Sequence, residues 1–118
     1  MGNKDNEPED LRTKTLSFSR AVIHFVKPMQ KDYIARPLIV QLTKSSTSIG
    51  ANFIEAKNGS SKKDFRNKVF ISKKEASETL YWLQLLEEFT DSPQLKKLQK
   101  ECQELVLILQ KIINTLDS

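Results

Sequence analysis

The chain has 118 residues, room for one domain and one modest core, with 38% hydrophobic and 29% charged residues. Three glycines and four prolines leave few turns, so the elements between them must be long, which favours helices over a many-stranded sheet. One cysteine and one histidine exclude an internal disulfide and a zinc site.

Residues 1–10 are polar and acidic, without the apolar core of a signal peptide, and 1–7 read as a flexible tail ahead of one domain over 8–118. The longest apolar run, residues 105–109, is far below the roughly 20 residues of a membrane span, so the expected location is the cytoplasm, with no membrane partner. In the first helix Leu11, Thr15, Phe18, Val22, Phe25 and Met29 recur at steps of four and three, and Pro28 stops or kinks its end. The second spans about 34–58, with Leu38, Leu42, Ser45, Ile49, Phe53 and Ala56 on one face and Pro37 in its first turn. Gly59 is expected to end it in the left-handed conformation that glycine adopts without steric cost.

Ser61 followed by Asp64 resembles a capping box and opens the third helix, whose stripe is Phe65, Val69, Ser72, Ala76, Leu80, Leu83 and Leu86. Residues 90–93 break it, with Ser92 as N-cap and Pro93 as first residue of the fourth. That helix carries Leu95, Leu98, Cys102, Leu105, Leu109, Ile112 and Leu116. The expected fold is all-α, an antiparallel up-and-down four-helix bundle.

Two stripes exceed what a lone bundle needs. On the third helix Phe70, Ser77, Tyr81 and Leu85 form a second line opposite the first, which reads as a subunit interface of a homo-oligomer. On the second helix residues 43–48 read Thr-Lys-Ser-Ser-Thr-Ser, mediocre helix formers apart from Lys44. Beside them Gln41, Ser48, Asn52 and Glu55 make a polar line, read as a packing network between helices, with a subunit contact or a ligand site as alternatives.

Catalytic chemistry is sparse. His24 shares a solvated face with Arg20 and Lys27, Cys102 lies in a core stripe, and Glu75 with Glu78 lack histidine partners for a di-metal site. No catalytic residue, metal site or cofactor is expected, and an enzyme is not. Charge is more telling. Between 57 and 74 stand Lys57, Lys62, Lys63, Arg66, Lys68, Lys73 and Lys74 against Asp64 alone, so a segment of +6 sits in a chain of +4. Such a cluster neutralises phosphates and points to RNA or DNA held without sequence preference. The alternative function is a scaffold that docks a protein partner on the oligomer surface.

The stretch 41–56, Gln-Leu-Thr-Lys-Ser-Ser-Thr-Ser-Ile-Gly-Ala-Asn-Phe-Ile-Glu-Ala, resembles the signature of the bacterial four-helix-bundle family whose founding members are encoded in intervening sequences of 23S rRNA genes, some labelled ribosomal proteins. Residues 74–86 resemble that family's third-helix motif, and 11–26 its opening helix with Arg20, Ala21 and Phe25 in place. The chain departs from it at Ala56, where members often carry Gly, and at Lys44, where they often carry Arg; a lysine lacks the planar guanidinium fork. The resemblance implies a pentameric ring of bundles and no enzyme. It extends by fold to the accessory protein of diversity-generating retroelements, a basic pentameric barrel that engages nucleic acid and a reverse transcriptase.

Overall fold

The computed structural model describes residues 8–118; the tail read at 1–7 lies outside the described residues. Four helices and no strand are present among them: α1 (Pro8–Val26), α2 (Arg36–Lys57), α3 (Lys62–Leu85) and α4 (Pro93–Asp117). Single 3-10 turns extend α1 (Lys27–Met29) and α3 (Leu86–Glu88). No described helix is long and apolar enough to cross a membrane.

Local chemistry sets each boundary. Pro28 cannot continue the α1 hydrogen-bond ladder, and the chain tightens into the 3-10 turn around it. The start of α2 is fixed by Asp32, whose Oδ1 accepts from the Ile34 and Ala35 amides at 3.0 and 3.1 Å. Pro37 sits in the opening turn, where a missing N–H costs nothing. At α3 the Ser61 hydroxyl accepts from the Asp64 amide at 3.0 Å. The Asp64 carboxylate does not return to Ser61 but takes the Ser60 hydroxyl at 2.8 Å, so only half of a capping box forms. Ser92 accepts from the Leu95 amide at 3.1 Å, with Pro93 as first residue of α4.

The expectation for Gly59 is corrected: no described glycine has a positive φ. The chain leaves α2 through an Asn58 at φ −94°, ψ 4°, with the Asn58 and Gly59 amides donating to the Glu55 and Ala56 carbonyls. Glycine serves there for space. A Cβ at 59 would lie 3.1 Å from the Ala56 carbonyl oxygen and 3.3 Å from the Asp64 Cβ, across the tight corner between α2 and α3.

One core joins the four helices. Leu11, Phe18 and Val22 of α1 meet Leu42, Ile49 and Phe53 of α2, Val69, Ala76 and Leu83 of α3, and Leu98, Leu105 and Leu109 of α4, all fully or almost fully buried. The α2 face is rotated slightly from the expected one, with Ile39 buried and Leu38 only half-buried. Contacts across helices run in opposed register. Ser19 donates to the Ser46 carbonyl and Gly50 lies against Thr15, so positions rise along α1 as they fall along α2. Likewise Ser72 donates to the Ile49 carbonyl at 2.7 Å, while Thr79 Oγ1 lies 2.8 Å from Ser45 Oγ. Gly50 is the second glycine whose missing Cβ matters: an added one would stand 3.0 Å from Thr15 Oγ1, so α1 could not approach α2 this closely.

The run of small hydroxyls in α2 therefore has a structural account. Ser45 and Ser46 are buried, and with Ser19, Ser72 and Thr79 they place hydroxyls against backbone carbonyls and each other across three helices. Their compactness lets backbones come close, and each buried hydroxyl has a partner.

Candidate nucleic-acid interface and outer faces

Among the seven bases at 57–74, folding brings Arg66 and Lys68 to distant carboxylates. Arg66 donates from Nε and Nη2 to Asp117, at 2.6 and 2.9 Å, joining the start of α3 to the end of α4. The guanidinium holds the Asp117 carboxyl below its ordinary range, and the carboxylate in turn raises Arg66. Lys68 reaches Glu55 of α2 at 3.3 Å. Both pairs are well exposed, so they contribute little to stability; their main effect is to cancel charge. Counting along the chain sees neither acid, because Asp117 is 51 residues from Arg66 and Glu55 is 13 from Lys68.

Lys62, Lys63 and Lys74 are exposed; Lys57 is exposed as well, at the end of α2, and Lys73 is half-buried. Phe70 is 40% exposed and lies between two cations, the Arg66 guanidinium 5.9 Å and the Lys73 ammonium 5.8 Å from its ring centroid. Lys63, Asn67, Phe70 and Lys74 follow at steps of four, three and four, on one outward face of α3. An aromatic ring flanked by cations on a basic face can stack a base while the bases of the protein hold phosphates.

The same face changes sign beyond Lys74. Residues 75–91 hold Glu75, Glu78, Glu87, Glu88 and Asp91 and no lysine or arginine. Burial, with Glu78 adding to it, pushes the Glu75 carboxyl up. None of the five carboxylates forms an ion pair among the described residues. Tyr81 is 55% exposed, Ser77 is exposed and Leu85 half-buried, so the line read as a subunit interface faces outward on a single chain. The Tyr81 ring stands edge-on to Trp82 at 5.2 Å, and the Trp82 indole Nε1 is buried with no hydrogen-bond partner.

The polar line of α2 does not bridge helices as an internal network. Gln41 and Glu55 are exposed and Ser48 and Asn52 half-buried. Ser48 donates to the Lys44 carbonyl at 2.7 Å and Asn52 to the Ser48 carbonyl at 2.8 Å, both within their own helix. Only Glu55 leaves it, toward Lys68. The joining is done instead by the Ser45 hydroxyl, which accepts from Thr79 of α3, and by the Ser46 carbonyl, which accepts from Ser19 of α1.

A further surface is not evident from the motifs. Between α1 and α2 run two cavities, of about 510 and 390 Å³, that share Ile23. Their walls are mostly apolar, their rims carry Arg12, Arg20, Lys27, Arg36 and Lys44, and among the described residues no acid lines either. Leu16 and Ile23 on α1, and Val40, Thr47 and Ile54 on α2, stand seven apart, all exposed. That spacing was the available signal: it marks a second apolar line on α1 and, interrupted by the polar Thr47, one on α2.

Titratable and nucleophilic groups elsewhere are few. His24 is exposed, and among the described residues no three His, Cys, Asp or Glu gather as metal ligands. The Cys102 thiol is buried, donates to the Ala76 carbonyl at 3.1 Å, and is pushed up to about 12 by burial. Its folded value lies above the unfolded one, so the native chain holds this proton more tightly. Stability from this group is complete below the unfolded value near 9.0 and is lost as pH rises from there toward 12. Cys102 is expected to resist iodoacetamide at pH 8 in the native chain and to react fully in urea; equal rates in both would refute this.

No curated protein matches the chain. A crystal structure of a protein of unknown function from the S23 ribosomal protein family, from Bacteroides thetaiotaomicron VPI-5482, is similar to it with a TM-score of 0.83 and 33% identity, covering 91% of this chain and 97% of that one. The 23S rRNA-intervening sequence protein family matches residues 9–111, from the first turns of α1 into the last of α4. A match that takes in all four helices and their core, with a solved relative of the same fold, places this chain in the 23S rRNA-intervening sequence protein family.

Proposed function

We propose that the chain is a non-enzymatic oligomeric binding module that holds RNA or DNA through phosphates on the first half of α3. The observation that carries this is the outward face on which exposed Lys63 and Lys74 flank Phe70, itself set between Arg66 and Lys73, with Lys62 beside them at the helix start. Lys57 and Lys68 lie at the edge of this surface, Lys68 with its charge shared by Glu55. The family's name, which refers to an intervening sequence of 23S rRNA, supports RNA ahead of DNA. The unit is an antiparallel up-and-down bundle, and several copies form a ring, five by the family resemblance, which repeats the basic face and strengthens its field. The cytoplasm is the compartment that fits this role.

Filter binding of a structured RNA tests the reading. Retention is expected at about 50 mM salt and is expected to fall steeply toward about 200 mM, because bound counterions are released from each neutralised phosphate. No retention at the lower salt would overturn it.

A further inference from the structure

The two most exposed large apolar side chains among the described residues stand next to each other, Tyr33 at 81% and Ile34 at 68%, in the turn between α1 and α2. Single exposed apolar residues are ordinary, but the core does not account for an adjacent pair, since it takes only the neighbouring Ala35. The pair is not loose. The Asp32 amide donates to the Met29 carbonyl and the Arg36 amide to the Asp32 carbonyl, each at 3.1 Å. The Asp32 carboxylate accepts from the Ile34 and Ala35 amides. These bonds bracket residues 33 and 34 on both sides, so the tip is presented in one geometry before any ligand arrives.

Cations surround it. Lys27, Lys31 and Arg36 are exposed, and among the described residues none makes an ion pair, the acids of the turn between α3 and α4 included. Asp32, the one acid between 27 and 36, has an oxygen committed to the two amides. The Arg36 guanidinium is fixed too. Its Nε and Nη2 donate to the Gln30 carbonyl at 3.2 and 2.9 Å, and its other N–H donors remain for a second acceptor. An arginine already held in place loses less freedom when it takes a phosphate. A phenol ring in water, beside a held guanidinium and two ammonium groups, has the parts of a single-strand contact. An unpaired base stacks on the ring, and the cations take the phosphates on either side. Anionic lipid would meet the same charges, but two side chains give it little apolar area to bury.

We propose that the turn between α1 and α2 is a second nucleic-acid contact, in which Tyr33 stacks an unpaired base of single-stranded RNA while Lys31 and Arg36 hold its phosphates. The class of ligand rests on the function proposed above; the place and the strandedness go beyond it. α2 has 22 residues, so about 33 Å of helix separates this turn from the corner before α3, where Lys62 and Lys63 stand. The two contacts are therefore separate, and an RNA that occupies both must reach from one end of α2 to the other. They also differ in kind. Lys62 and Lys63 meet phosphates whatever the strand does, whereas Tyr33 needs a base out of its pair.

Ultraviolet crosslinking to a short oligouridylate tests this, with the crosslinked peptide mapped by mass spectrometry. The crosslink is expected in tryptic peptide 32–44, which stays whole because Pro37 follows Arg36 and in which Tyr33 is the only aromatic residue. The Lys62→Glu/Lys63→Glu background isolates the turn. There Tyr33→Ala is expected to weaken oligouridylate binding by about fivefold or more, the scale of one lost base–aromatic stack. Tyr33→Phe is expected to restore it, and blunt-ended duplex RNA is expected to bind all three alike. Tyr33 is exposed, and circular dichroism checks that the helices are kept.

Oligouridylate binding unchanged by Tyr33→Ala, or no crosslink in peptide 32–44, would overturn the contact, while wild-type retention of structured RNA would leave the α3 interface standing. A wild type that crosslinks at Tyr33 yet retains no structured RNA would sustain the turn and sink the α3 interface. Equal losses on duplex and single strand would overturn the stacked base. Sedimentation of wild type, and not of Tyr33→Ala, with phosphatidylglycerol vesicles and without a crosslink would give the turn to lipid and overturn the proposal.

Discussion

Replacing Lys62 and Lys63 together by glutamate is expected to weaken RNA retention at about 50 mM salt by about tenfold or more and to make the slope of affinity against salt shallower by about two. Both lysines are exposed at the start of α3, and neither forms an ion pair among the described residues. Reversal removes two phosphate contacts and adds two repulsive charges. Removing Arg66 and Asp117 together, both to alanine, serves as the comparison. The guanidinium is already held by Asp117, so losing the pair as a unit leaves the net charge unchanged and is expected to change retention by less than about threefold, despite its position in the middle of the same cluster. Filter binding over a salt series reads both. Retention by the lysine variant indistinguishable from wild type would move the interface elsewhere, and a larger effect of removing the Arg66–Asp117 pair would mean that the pair opens on binding.

Truncating Phe53 to alanine is expected to cost about 3–5 kcal/mol, the range for removing a large ring from a core. Phe53 is fully buried on α2, the helix that contributes to the core and whose backbone carbonyls accept the hydroxyls of Ser19 from α1 and Ser72 from α3. A domain of this size holds only about 5–15 kcal/mol in total, so the variant should stand close to unfolding. Phe70→Ala is the control: at 40% exposure the same chemical change leaves no closed cavity, and about 1 kcal/mol or less is expected. Urea denaturation followed by circular dichroism separates them. Equal midpoints for the two variants would contradict the core described here.

Much of the fold is legible in the sequence because helix ends are local events. Ser61, Ser92, Pro93 and Pro28 act where their chemistry predicts, each within a few residues of its partner. Asp32 was the exception: its carboxylate starts α2 from three residues upstream, a distance at which an exposed acid looks like any other surface charge. Gly59 shows that a correct boundary can rest on the wrong reason, since what glycine supplies there is room beside Ala56 and Asp64 rather than a left-handed φ. The site was less legible for two reasons. Ion pairs such as Arg66–Asp117 depend on tertiary approach, so a charge count along the chain overstates the free positive charge. And the polar positions of α2 divide by a rotation of one residue, with Ser45 turned inward and Ser48 satisfied by its own helix, a difference that helical periodicity alone does not resolve.

The reversal of sign midway along α3 has a kinetic meaning as well. A helix of 24 residues is about 36 Å long, so this one face of the molecule carries two well-separated patches of opposite sign. Near a polyanion the basic patch is drawn in and the acidic patch held off, a torque that turns this face in one sense before any surface touches. At physiological ionic strength this torque acts within about 8 Å, so the turning takes place during the last few water layers of approach.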